Sequence, residues 1–144
     1  MKKLLLILGL FFTVLSVYAA NDYSSRFISS FSACEPFMET STILDASGAK
    51  VQITKIVQGV KNHDCIYKQI ILRPTVKDVT VCAFTKPMAM EIADAMKAEN
   101  GEKFNVNIDI KGEIIPLIGV TKSQIVWTQY LNADTVCKRE ILER

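Results

Sequence analysis

Cys65-Ile66-Tyr67-Lys68-Gln69-Ile70-Ile71-Leu72, then Arg73-Pro74, then Val79-Thr80-Val81-Cys82-Ala83-Phe84-Thr85-Lys86-Pro87 form the stretch whose reading decides the fold. The first run is apolar on both faces, the mark of a central, covered strand. Residues 79–84 follow as its neighbour. An antiparallel hairpin turning at Arg73-Pro74 places Cys65 directly opposite Cys82, where Cα atoms lie about 4.5–5.5 Å apart and a disulfide spans them. Thr85 then reads as a helix cap, with Pro87 in the first turn, where a missing N–H costs nothing. Met88, Ile92 and Met96 line one face with Ala89, Ala93 and Ala95 beside them. Asn100-Gly101 is a left-handed stop, so the helix is expected over residues 86–99.

Outward from this unit, Tyr23, Phe27 and Phe31 recur at four-residue spacing and predict a short N-terminal helix with one aromatic stripe. Asp22 is its expected cap, and Pro36 prevents its extension. Residues 51–57 read as a strand with a bulge where alternation breaks between Lys55 and Ile56. Asn62-His63-Asp64 tips a turn over residues 59–64. Phe104, Val106, Ile108 and Ile110 alternate with Asn105, Asn107, Asp109 and Lys111, a strand with one buried and one wet face. Gly112 turns the chain into residues 114–120, where Pro116 cannot donate to a ladder and so belongs at a sheet edge. Residues 123–131 fit a strand by composition, but a Ser123 cap and the Val126/Tyr130 and Trp127/Leu131 spacings favour a helix. The order helix, three strands, helix, two strands, tail is that of an α+β domain. The expectation is a single mostly antiparallel sheet of about five strands with helices packed on one face, stapled by disulfides, in one domain over residues 20–144.

The first twenty residues have a different grammar. Lys2 and Lys3 precede an apolar run over residues 4–15 relieved only by Gly9 and Thr13, and Val17-Tyr18-Ala19-Ala20 closes it. A positive start, an apolar centre and a small-residue cut define a secretory signal peptide, residues 1–19, cleaved after Ala19 or alternatively after Ala20. An uncleaved anchor needs about 20 apolar residues, more than this run supplies. Cys34 in Phe31-Ser32-Ala33-Cys34 is not a lipidation site, since five polar residues separate it from the apolar centre. The expected location is therefore outside the cytoplasm, periplasmic or extracellular, with no membrane association after cleavage. Lys2 and Lys3 leave with the leader and no acid does, so the mature chain carries 15 bases against 15 acids. Signs alternate along it, as in Lys97-Ala98-Glu99, and nothing supplies the clustered basic surface of a nucleic-acid binder.

All four cysteines, Cys34, Cys65, Cys82 and Cys137, remain in the mature chain. An even count in a small exported domain reads as a disulfide framework with three pairings open. The hairpin geometry prefers Cys65 with Cys82, leaving Cys34 to Cys137. Redox catalysis and zinc binding both want closely spaced cysteines, and the nearest two here are 17 apart.

Candidate chemistry is sparse. His63 is the single histidine, in an Asn-His-Asp turn that ordinary turn preferences explain. Asn105-x-Asn107-x-Asp109 has the spacing of calcium-loop ligands, but Ile110 stands where such a loop requires glycine. No cofactor motif, phosphate loop or nucleophile elbow occurs. Pro116, Trp127 and Tyr130 are the candidate interface residues, because an apolar edge strand and aromatic anchors suit a partner surface.

Three stretches carry a resemblance: Gly59-Val60-Lys61-Asn62-His63-Asp64-Cys65-Ile66-Tyr67; Val79-Thr80-Val81-Cys82-Ala83-Phe84-Thr85 leading into the helix through Ala95-Met96; and Trp127-x-x-Tyr130-Leu131-Asn132 before Cys137. Together they are similar to short exported bacterial proteins with a four-cysteine framework and no assigned function. The likeness implies a compact cysteine-stapled fold and carries over no functional residue. The expected function is a non-catalytic protein-binding, inhibitor or accessory module whose partner is another envelope or secreted protein. One alternative is a hydrolase using carboxylates such as Glu91 or Asp94 in a cleft. Another is a carrier of a small apolar ligand between helix 86–99 and the sheet.

Overall fold

The computed structural model describes residues 23–144. The expected leader over residues 1–19, its expected cleavage positions Ala19 and Ala20, and the expected Asp22 cap lie outside the described residues. Ser24 takes the capping role: its side chain accepts from Phe27 N–H at 3.0 Å and opens α1 (Ser25–Ala33). The helix ends at Cys34, whose left-handed backbone (φ 51°) turns the chain into Pro36.

Four strands follow: β1 (Phe37–Leu44), β2 (Lys50–Lys61), β3 (Asp64–Leu72) and β4 (Val76–Phe84). With the C-terminal β7 (Cys137–Glu143) they form a five-stranded antiparallel sheet in the order β1-β2-β3-β4-β7. Between β4 and β7 come α2 (Lys86–Lys97), β5 (Phe104–Ile110), β6 (Glu113–Val120) and α3 (Lys122–Leu131). The class is α+β with a five-stranded sheet, but its membership differs from the sequence reading. β1 and the tail strand β7 are in it, while β5 and β6 make a separate two-stranded ribbon. β1 escaped notice because its inward positions include Glu39 and Ser41, which leave no apolar alternation to detect.

The hairpin register also differs from the expected one. Arg73 N–H donates to Val76 C=O at 2.9 Å, so Pro74-Thr75, not Arg73-Pro74, is the two-residue turn. Proline's fixed φ suits the second position of a β-turn and disfavours the third, where the expected register had put it. Cys65 consequently faces Phe84, and Cys82 faces Tyr67. The bonds are Cys34–Cys65, tying the end of α1 to β3, and Cys82–Cys137, joining directly opposed residues of β4 and β7. The preferred Cys65–Cys82 and Cys34–Cys137 pairing is thereby corrected.

Two further expectations move. Val51, Ile53, Lys55 and Val57 all point inward in unbroken alternation, and the register shift falls between Val57 and Gly59. The supposed break at Lys55 assumed that a lysine must face water. Lys55 is only 3 % exposed, with Nζ 2.8 Å from Glu39 Oε1 and above the rings of Tyr23 and Phe27 at 4.8 and 5.0 Å. A buried ammonium is tolerated when a carboxylate and ring faces replace its water. Helix α2 stops at Lys97 with Ala98 as its cap, so Asn100-Gly101 shapes the loop rather than the helix end.

The covered face of the sheet carries the main core. Phe27, Phe31, Tyr67, Phe84, Ile92 and Trp127 are at most 1 % exposed. Trp127 sits at their centre, its ring centroid 5.1 Å from Tyr67, 5.4 Å from Phe31 and 5.9 Å from Phe84. Ala89, Ala93 and Ala95 let α2 approach closely, so side chains fill the space between this helix and the sheet.

Candidate functional site

Helix α2 along its length and the N-terminal half of α3 bring a groove together. Thr121 and Gln124 cap α3 reciprocally: Gln124 N–H donates to the Thr121 side chain, and Thr121 N–H donates to Gln124 Oε1 at 2.8 Å. Two side-chain ties set the helices antiparallel. Ser123 Oγ donates to Glu99 Oε2 at 2.6 Å at one end, and the Tyr130 hydroxyl donates to Glu91 at the other. Burial pulls the Glu99 carboxyl upward, but hydrogen bonds from Ser123, Thr121 and the Gly101 N–H, with the charge of Lys103, hold it below the usual carboxylate range.

Between the ties lies an open groove of about 720 Å³. Met90, Ala95, Ala98 and Val126 make its apolar surface, with Lys86 and Lys122 facing Glu91 and Asp94 around it. Met90 is 52 % exposed and lies on the open surface of the groove. Neither helix has an acid in its first turn; α2 opens with Lys86 and α3 with Lys122. A cation there opposes the helix dipole and costs a few tenths of a kcal/mol, a local conflict typical of functional positions.

Of the residues singled out from sequence, Glu91 and Asp94 line this groove and Tyr130 closes one end through Glu91. Trp127 is 1 % exposed, so its side chain offers no contact surface. Pro116 lies elsewhere, on the outward face of the β5–β6 ribbon with Ile114 (66 % exposed) and Ile118 (79 %). Asn105, Asn107 and Asp109 are spread along the wet face of β5, where Asn105 accepts Gly119 N–H and Asp109 accepts Gly112 N–H. His63, with Asn62, forms the two-residue turn between β2 and β3; both have positive φ (71° and 51°) and His63 is exposed. No group of three or more metal-binding side chains occurs among the described residues. Lys86, Met90, Ala98 and Lys122 were missed. The available signal was a lysine opening each helix where an acid is preferred.

The Tyr130–Glu91 tie makes a titration prediction. The hydrogen bond to Glu91 first, then burial and the Glu91 charge, push the Tyr130 pKa from 10.0 up to about 12. A folded-state pKa above the unfolded one stabilises fully below the unfolded value and is lost as pH climbs through the folded one. The helix pair is therefore expected to lose this tie between pH 10 and about 12. Tyrosinate absorbance should show one phenol titrating near 12 that returns toward 10 in Glu91→Gln.

The chain matches no known protein family, no curated protein and no solved structure.

Proposed function

We propose that the chain is an exported, non-catalytic binding module that seats a segment of a second envelope or secreted protein in the groove between α2 and α3. The observation that carries this reading is the groove's make-up: an apolar centre at Met90, Ala95, Ala98 and Val126 within a rim of two lysines and two acids. Interfaces of moderate affinity combine an apolar centre with a polar rim in this way. Export is supported by the leader grammar and by two disulfides with no free cysteine, since such bonds persist outside the reducing cytoplasm. No helix among the described residues is long and apolar enough to cross a membrane.

A photo-crosslinking side chain at Met90, in cells bearing the oxidised protein, is expected to trap a discrete partner. The same group at Leu44, exposed on the opposite face of the sheet, is expected to trap none. Met90→Asp should weaken the interaction by about tenfold or more, the effect of charging an apolar anchor. Identical adducts from both positions would sink the proposal. Glu91 and Asp94, one helical turn apart in the groove, favour the hydrolase as second reading. Replacing both by alanine must then abolish whatever hydrolysis the protein performs.

A further inference from the structure

Strand β1 closes one side of the five-stranded sheet, and among the described residues no strand pairs with its outer edge. It runs eight residues in unbroken register with β2, without a bulge or a proline. Exposed sheet edges are ordinarily guarded by lysine, proline or a bulge, because unpaired N–H and C=O groups recruit other strands. Asp45 N–H donates to Ala49 C=O at 2.9 Å, which fixes the residues that face β2. Counting back from that pair, the odd-numbered residues of β1 bond to β2, while Met38, Thr40, Thr42 and Leu44 turn their main-chain groups outward. All four are uncharged, and the one charged side chain of β1, Glu39, points inward to Lys55.

Two independent observations mark this edge. Met38 and Leu44, on the face without helices, are 64 and 65 % exposed. Ser41 Oγ, on the other face at the middle of the strand, is buried with no hydrogen-bond partner. Buried hydroxyls are almost always bonded, and the open edge beside this one is where a partner fits. The far edge of the sheet differs. Antiparallel pairing of β7 with a copy over its whole length, Cys137–Glu143, sets Glu140 against itself, and directly opposed like charges are destabilising.

We propose that β1 pairs antiparallel with β1 of a second copy about a two-fold axis at Ser41, joining two sheets into one. Centring the pair there matches outward residues with outward residues: Met38 with Leu44 of the other copy, and Thr40 with its Thr42. Each such pair exchanges two main-chain hydrogen bonds, and the exposed methionine and leucine cover each other. Ser41 meets its own copy as a non-hydrogen-bonded pair, the closer kind. The molecule already shows that geometry at Thr40 and Thr54, opposed across β1 and β2, whose Oγ1 atoms lie 3.0 Å apart. The two Ser41 hydroxyls bond each other in the same way, and the orphaned oxygen gains its partner. Glu39 falls opposite Ile43 of the other copy, so no like charges oppose each other. At each end Phe37 meets Asp45 of the other copy, and Arg26, 5.5 Å from the Phe37 ring centroid, stands where that carboxylate arrives. Helix α1 touches β1 only near this end, through Ser24 on Glu39 and Arg26 on Phe37, so the two copies of α1 lie at opposite ends of the paired strands. The pairing stands apart from the groove reading.

Sedimentation velocity of the oxidised protein, recovered from cells that express the full chain, is expected to show a dimer with a dissociation constant in the micromolar range or tighter. Thr40→Pro removes an N–H that faces only the other copy, and should raise that constant by about tenfold or more with the circular dichroism retained. Ser41→Ala should raise it several-fold while leaving the monomer no less stable, since the hydroxyl has no partner there. Ser41→Cys should couple two chains through that position, where opposed Cα atoms lie about 4.5 Å apart, and it tests the pairing whether or not the proline variant folds. Leu44 opposes Met38, so its two copies stand about 20 Å apart along the strands and Leu44→Cys should not couple. A photo-crosslinking group at Leu44 should join two copies of this chain through Met38 while still trapping no second protein, and Met90→Asp should leave the dimer unchanged. Any of four results overturns the proposal: a monomer up to about 100 μM, a dimer untouched by Thr40→Pro and Ser41→Ala, Leu44→Cys coupling as readily as Ser41→Cys, or a dimer lost with Met90→Asp.

Discussion

Trp127→Ala is expected to lower the unfolding free energy by about 3–5 kcal/mol, the range for emptying a large aromatic site in a packed core. The reason is local. Trp127 is 1 % exposed and touches rings from three parts of the chain: Tyr23 and Phe31 near the N-terminus, Tyr67 on β3 and Phe84 on β4. These neighbours belong to a sheet and to α1, so they cannot collapse together into the vacated space. Trp127→Phe separates volume from chemistry. Trp127 Nε1 is buried with no hydrogen-bond partner, so losing it relieves an unsatisfied donor while the smaller ring forfeits some packing. The phenylalanine variant is expected to cost about 1 kcal/mol or less. Equilibrium urea unfolding of both variants, oxidised, checks the contrast. Equal losses would mean that the indole N–H has found an acceptor and that the core is less rigid than described.

The second large effect concerns the sulfur links. The Cys82–Cys137 bond closes a separation of 55 residues, worth about 4 kcal/mol in the chain-entropy model, and Cys34–Cys65 closes 31, worth slightly less. They differ in what they hold. Beyond Cys137, β7 buries little: Glu140, Ile141, Leu142 and Glu143 are exposed. Among the described residues Arg139 anchors it, with Nε 2.9 Å from both Asp78 carboxylate oxygens. Cys82→Ala with Cys137→Ala should therefore free the β7 amides to exchange before the rest of the sheet, besides lowering stability by about 4 kcal/mol. Cys34→Ala with Cys65→Ala should instead loosen α1, because that bond anchors its last turn to β3. Exchange that accelerates uniformly in both variants would show that the sheet opens as one unit and that neither bond has a local role.

Much of this was legible along the chain. The aromatic stripe Tyr23-Phe27-Phe31, helix α2 behind Pro87 and helix α3 with its Val126/Tyr130 spacing follow from periodicity, which acts within a few residues. The cap of α3, however, is Thr121 rather than the expected Ser123, and Thr85 makes no side-chain cap bond. Strand β3 announced itself as central by being apolar on both faces, and it is. Of the groove, Glu91, Asp94 and Tyr130 drew attention as residue types, but nothing along the sequence said that the first two line one side of it while the third ties its far end.

What the sequence by itself determined is the set of local elements, the α+β class and the even complement of cysteines, because those depend on side-chain spacing and composition. Only the tertiary structure decided the partners: Cys34 with Cys65, Cys82 with Cys137, β7 beside β4, β5 and β6 apart from the sheet, and Lys55 inside. The physical reason is that register and burial are settled between segments far apart in the chain. A proline moved by one turn position shifts every opposed pair by two residues. A lysine reads as exposed until a distant carboxylate and two aromatic faces take the place of its water.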